Sequence, residues 1–256
     1  MAIISDSGGL FVAFIIAVTF FVGWIQFVSF IWPFYLSFEL RNGLNTQLST
    51  QIWSTSQHCI IYTLGNIFYY FVYTRKWAFF EQDRSSHALW PWESLPKSEW
   101  KTLLYNSLFW NLFNSVVTNN LINLSILASG KKDAFEAATD KIPSAGLFAA
   151  QCLFCMICED FAFYISHRVL HSKWLYAKVH KTHHEHQVTF SLAALHAHPL
   201  EYAFGNILPV IVGPKILQHR MHRASLFGWF FLRGLESMDG HSGYRFRWSP
   251  FRLLPF

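Results

Sequence analysis

Charge is what this sequence has little of. Of 256 residues, 14% are Asp, Glu, Lys or Arg and 52% are hydrophobic. An average soluble domain is about 25% charged, so the composition excludes an ordinary water-soluble globule of this size. The scarcity is also organised. No charge falls between Asp6 and Glu39, between Arg41 and Arg75, or between Lys101 and Lys131. Each gap exceeds the roughly 20 residues that cross a hydrocarbon core. Cysteine is equally scarce, and Cys59, Cys152, Cys155 and Cys158 all lie in apolar segments. That placement excludes a secreted disulfide scaffold. The spacing of the last three invites an iron–sulfur reading, but no fourth ligand is near, and cysteine packs as a small apolar residue. Phosphate loops and Gly-x-Gly-x-x-Gly are absent, so no nucleotide-binding motif is present. No nucleic-acid partner is expected.

What is present is a series of long apolar runs. The run from Leu10 to Phe38 is far longer than the roughly 7–15 residues of a signal core, and no Lys or Arg precedes it. It reads as a first span. A second is expected between Arg41 and Arg75. A third, between Lys101 and Lys131, carries Asn106, Asn111, Asn114, Asn119 and Asn120. The fourth runs from about Ser144 to Ile165, with Glu159 and Asp160 near its end. Two later stretches, Ala203–Gly213 and Ala224–Leu232, are too short to cross and read as re-entrant or interfacial. Pro209, Gly213 and Pro214 break the first of them.

Lys and Arg set the orientation. Arg75, Lys76, Arg84, Lys97 and Lys101 fall in one connecting segment, and Arg168, Lys173, Lys178 and Lys181 follow the fourth span. Four spans with a cytosolic N-terminus put both segments in the cytosol. The loop at 128–143, with Lys131, Lys132 and Lys141, weakens this contrast without reversing it. Trp90, Trp92 and Trp100 stand among charges and are expected at headgroup level on that face. The expected fold is all-α: an integral membrane helical bundle of about four spans with a cytosolic histidine-rich helical cap. The division expected is a transmembrane region over 1–143 and a catalytic region over 144–256.

The cap carries the chemistry. His167 and His171 are spaced i, i+4, which places both rings on one helix face. Asp160 and Tyr164 extend that stripe backward, and a carboxylate near a ligating imidazole is a natural partner for its other ring nitrogen. His180, His183 and His184 form a second array, in which His183 and His184 splay and can serve two different metals. Neutral imidazole is the commonest metal ligand and suits iron, zinc, copper and nickel. Residue types alone do not choose among them. His186, His219 and His222 read as surface residues. The zinc-peptidase pattern fails because Val188 stands where a second histidine is required. Gly240-His-Ser-Gly243 only mimics a hydrolase elbow.

These two histidine arrays resemble those of the fatty acid hydroxylase superfamily. The stretches 159–171, His180-Lys-Thr-His-His-Glu185, Ala197-His-Pro-Leu-Glu201, Leu235–Tyr244 and Trp248–Phe256 are similar to the sterol C4-methyl oxidase branch. The resemblance implies two non-haem iron ions at the cytosolic face of the endoplasmic reticulum. It also implies dioxygen and a 4-methyl sterol as substrates, membrane lipids around the chain, and a cytochrome b5-type electron donor fed by NAD(P)H. By match to the motifs it makes His167, His171, His180, His183, His184 and His241 metal ligands. His198 joins Asp160 and Tyr164 as a candidate support around them, against the alternative of a helix-entry contact before Pro199. The family pattern continues past Phe256 to a third box, His-x-x-His-His, so the sequence is expected to be C-terminally incomplete. A chain ending there would lack up to three ligands. Arg245 departs from the acid usual in the family. The alternatives are another lipid hydroxylase or desaturase of the superfamily, or a non-catalytic membrane protein that binds metal or sterol.

Overall fold

The computed structural model describes residues 7–121 and 141–253. The far end of the third expected span, Lys131 and Lys132, and the final Leu-Pro-Phe lie outside the described residues. Within them the chain is helical and carries no strand, only one isolated bridge between Arg84 and Tyr244.

Helix α1 (Ser7–Arg41) is the apolar first span. Asn45 starts α2 (Thr46–Arg75), its side chain accepting from the Leu48 N–H at 2.8 Å. Helix α3 (Lys97–Leu112) widens into a π turn over Phe113–Thr118. Ser144 caps α4 (Ala145–Leu170) by accepting from the Leu147 N–H. A short α5 (Lys173–Lys178) and two 3-10 turns (His180–Glu185 and Ser191–Leu195) follow. Helix α6 (Pro199–Arg220) and α7 (Arg223–His241) complete the bundle.

Among the described residues three helices are long and apolar enough to cross a membrane: α1, α4 and α6. The first two were expected, and α6 was not. Ala203–Gly213 is no re-entrant fragment but part of one 22-residue helix. A π turn at Tyr202–Ile207 ends two residues before Pro209 and lets the helix carry it. Gly213, read as a breaker, is a packing residue. A Cβ there would stand 2.7 Å from Cys155 Cα, so the glycine lets α6 lie close against α4. Cys155 and Cys152 are buried apolar contacts with free thiols.

Helix α2 has a crossing length of 30 residues, but it is more polar than these three. Three of its polar residues face the turns that continue α3: Gln51 meets Asn120 at 2.6 Å, Thr55 meets Asn119 at 3.2 Å, and His58 meets Ser115 at 3.1 Å. These pairings offset part of the cost of burying polar groups, although Gln51 Oε1 has no partner among the described residues.

The first half of helix α7, expected to be re-entrant or interfacial, packs inside the bundle: every residue from Arg223 to Trp229 is buried. Gly228 admits the Phe148 ring, which a Cβ would meet at 2.3 Å. At the start of α7 the Arg223 guanidinium holds Glu39 through two contacts, 2.6 and 3.2 Å, and donates to the Tyr35 hydroxyl at 2.7 Å. Trp90, expected at headgroup level, is buried within the protein. Its ring packs against Gly243, whose φ of +77° only glycine adopts readily. Around it the 81–85 loop grips the segment after α7. The Arg245 N–H donates to the Asp83 carbonyl at 2.7 Å, and the Tyr244 hydroxyl donates to Glu81 at 2.6 Å.

Candidate metal centre

Six imidazoles from three segments converge at the end of α4. The last turn of α4 supplies His167, and His171 caps it. The chain turns back through α5 into the 3-10 turn that carries His180, His183 and His184. His241 arrives as the last residue of α7. The second array thus lies on a 3-10 turn.

The imidazoles divide into two sets. In the first, Nε2 of His171 lies 3.1 Å from Nε2 of His167 and 3.1 Å from Nε2 of His180. Nε2 of His184 stands 3.0 Å from Nε2 of His180. Nδ1 of His180 lies 2.7 Å from Oε1 of Glu201, so this nitrogen carries the proton and donates, leaving a lone pair on Nε2. Neighbouring ring nitrogens at such separations repel unless a proton or cation lies between them. Nitrogen ligands about 2.0–2.1 Å from one ion stand about 3 Å apart when their bonds meet near a right angle. The donors of His167, His171 and His180 all lie within 4.8 Å of one another. The set therefore fits a first-row metal ion.

The second set is His183 and His241. Their Nδ1 atoms donate to the His196 carbonyl at 3.2 Å and the Ser237 carbonyl at 2.8 Å. Both Nε2 lone pairs are thereby turned toward each other, 3.5 Å apart. The rings of His180 and His183 are nearly parallel with centroids 5.9 Å apart, so the two sets adjoin. Burial, helped by neighbouring His241, pushes the His183 pKa down to about 3. Burial also lowers His184 and His241. All three are neutral at pH 7, the form that binds metal.

The expected supporting residues fall elsewhere. Asp160 is exposed, and so is Tyr164, whose hydroxyl accepts from Arg168 at 2.7 Å. Among the described residues neither makes a hydrogen bond to the six imidazoles. His198 is a helix-entry residue: its Nδ1 accepts from the Leu200 N–H at 3.2 Å. Glu201, one turn further on, takes the carboxylate role. Its signal was present in Ala197-His-Pro-Leu-Glu201, but no helix-stripe argument from α4 reaches it.

Two of the three histidines read as surface residues are buried, while His219 is exposed. His222 caps α7 and stands against Trp32, with centroids 4.7 Å apart. His186 meets the buried Ser107 hydroxyl at 2.8 Å, and burial pushes its pKa down to about 3. The same hydroxyl lies 3.0 Å from Nδ1 of His196, whose Nε2 meets Glu185 at 2.9 Å. Below Ser107 on α3, Asn111 donates to the Leu192 carbonyl at 2.8 Å, and Asn114 donates to the carbonyls of Leu195 and Ala197. Ser107, Asn111 and Asn114 recur at i, i+4 and i+7, so one face of α3 holds the loop whose His196 carbonyl orients His183. That period was legible, but its function was not.

The fatty acid hydroxylase family model matches residues 152–255. The chain is 45% identical over 114 residues to "Methylsterol monooxygenase 2-1" of Arabidopsis thaliana, covering 44% of this chain and 41% of that protein. It is 44% identical over 114 residues to "Very-long-chain aldehyde decarbonylase GL1-11" of Oryza sativa subsp. indica, covering 44% and 42%. To "Fatty acid hydroxylase ahd1" of Mycosarcoma maydis it is 35% identical over 133 residues, covering 52% and 34%. The matched stretch thus spans less than half the length of each of these relatives. No solved structure matches the chain.

Proposed function

We propose, from the match of the fatty acid hydroxylase family model to residues 152–255, that the chain oxidises the C4 methyl group of a sterol, using dioxygen at a di-iron centre. The observation that carries the reading is the division of six imidazoles into two adjoining sets, His167, His171, His180 and His184 against His183 and His241. Two iron ions bound there supply the activation of dioxygen and the attack on an unactivated C–H bond.

The chain's own residues do the rest. Glu201 holds the His180 ring through Nδ1, and the carbonyls of His196 and Ser237 do the same for His183 and His241. Ser107, Asn111 and Asn114 fix the loop behind them. A cavity of about 170 Å³, lined by Leu195, Tyr202, Arg233 and Ser237, adjoins His241 through Ser237. It accepts one end of a lipid presented from the bilayer. Arg168, Lys173, Lys178 and Lys181 are exposed on the segments that carry the histidines. Their charge suits a cytosolic face of the endoplasmic reticulum and an electron donor of the cytochrome b5 type fed by NAD(P)H.

The test is turnover. The membrane-reconstituted chain, loaded with ferrous iron and given a reductase and cytochrome b5, should convert a 4,4-dimethyl sterol to its hydroxymethyl and carboxyl products with uptake of oxygen. Metal-loaded protein that leaves the sterol intact under these conditions overturns the reading. A second reading rests on the aldehyde decarbonylase name at nearly equal identity. A very-long-chain aldehyde in the same assay separates the two.

A further inference from the structure

The end of the bundle away from the histidines holds a cavity that the proposed oxidation does not use. Helix α4 is 26 residues long, about 39 Å at the usual rise. Its start at Ala145 therefore lies about a membrane's width from His167 in its last turn. There the first turns of α4 meet the end of α6. Between them is a cavity of about 410 Å³, whose lining includes Lys141, Ser144, Leu147, Gln151, His219 and Arg220. Buried contacts fix its shape. Gln151 is buried and donates from Nε2 to the Arg220 carbonyl at 2.7 Å, which holds the end of α6 against α4. His222 closes the side toward α7, the helix it caps.

The charge of this cavity has one sign. Lys141 and Arg220 are both exposed, and among the described residues neither forms an ion pair. No carboxylate belongs to the lining. Two cations without a counter-charge repel each other and favour an anion between them. The guanidinium fork and the lysine ammonium both suit phosphate oxygens. A zwitterionic headgroup would bring an ammonium that finds no carboxylate here.

Hydrocarbon continues directly from the cavity. Leu147 lines it, and Leu147, Phe154 and Phe161 recur at intervals of seven along α4, all exposed. This apolar track extends about 21 Å toward the histidine end, more than half of a hydrocarbon core of about 30 Å. A phosphate at the polar end of such a track is the layout of a glycerophospholipid. A free phosphate ion would use only the cavity. Basic pockets between membrane helices are recurrent sites for anionic headgroups.

We propose that Lys141 and Arg220 bind the phosphate of an anionic glycerophospholipid in the leaflet opposite the histidine centre. Its acyl chains lie along the exposed face of α4.

Binding tests this without turnover, so its outcome is independent of the proposed oxidation. The purified full chain in detergent is titrated with dioleoyl phosphatidic acid, dioleoyl phosphatidylcholine or inorganic phosphate, and native mass spectrometry reads the bound fraction. Phosphatidic acid should bind about tenfold more tightly than phosphatidylcholine. Lys141→Gln and Arg220→Gln change exposed side chains and should each weaken phosphatidic acid about fivefold, leaving phosphatidylcholine unchanged. Ser144→Asp keeps the cap of α4 and puts a carboxylate into the cavity, so it should abolish the preference. Ser144→Asn caps equally well without charge and should retain it. Equal affinity for the two lipids, or a preference untouched by Ser144→Asp, removes the site. Inorganic phosphate that displaces phosphatidic acid at equal concentration would make this a site for the free ion and overturn the lipid assignment.

Discussion

The Glu201 carboxylate meets Nδ1 of His180 at 2.7 Å, with both side chains almost wholly buried. This pair couples α6 to the 3-10 turn that carries half of the six converging imidazoles. A carboxylate behind a ligating histidine fixes its tautomer and raises its basicity, and its loss costs about 10–100-fold in metal affinity. Glu201→Gln keeps an acceptor but loses the charge, and should weaken iron binding about tenfold. Glu201→Ala removes both and should reach about 100-fold. Competition against a chelator reads the affinity. Equal binding in wild type and Glu201→Ala would leave the carboxylate with a packing role only.

His183 and His184 are neighbours in sequence and belong to different sets. His184 lies 3.0 Å from His180, whereas His183 faces His241. His183→Ala should therefore empty the second set and leave the first able to hold one ion. His184→Ala should weaken the first set and spare the second. Both variants should remain in the membrane and lose lipid oxidation. Iron per chain, measured by elemental analysis with a Mössbauer spectrum, distinguishes the two. Identical loss of all metal in both variants would mean one cooperative site.

The sequence made the membrane character and the histidine clustering legible because both are periodic or compositional. Leu10–Phe38 and Ser144–Ile165 are written as apolar runs, and α1 and α4 follow them. What sequence period could not deliver was tertiary. Pro209 and Gly213 look like breakers until a π turn and the close approach of Cys155 explain them. His186 and His222 look like polar surface until Ser107 and Trp32 cover them. Asp160 and Tyr164 lie on the histidine stripe of α4 and yet face outward, while the supporting carboxylate comes from another helix. A stripe identifies a face but not what packs on it.

Burial holds His183 and His186 neutral, with pKa values pushed from 6.5 down to about 3. Between these values the unfolded chain takes up protons that the folded chain refuses. Folded-state stability is then full above about pH 6.5 and falls as the pH drops toward 3. The metal-free protein should accordingly unfold at lower temperature at pH 5.5 than at pH 7.5. His186→Gln, which cannot titrate, should flatten part of that slope. A midpoint that stays level or rises on acidification would contradict the burial of these rings.

The bidentate contact of Arg223 with Glu39 joins the end of α1 to the start of α7, with side chains about 8% and 10% exposed. Tyr35 accepts from the same guanidinium, and Ser49 donates to Tyr35 at 3.0 Å, which brings in α2. Removing one partner of such a pair strands the other charge, at a cost of about 3–5 kcal/mol. Glu39→Gln and Arg223→Met should each destabilise the bundle by about that much, with the arginine variant also uncovering Tyr35. The double variant leaves no buried charge and should recover most of the loss. Reversible unfolding in mixed detergent, run as a double-mutant cycle, measures the coupling. A coupling near zero would mean that the pair is solvated in the bilayer interface and that α1 is held to α7 by its aromatic contacts alone.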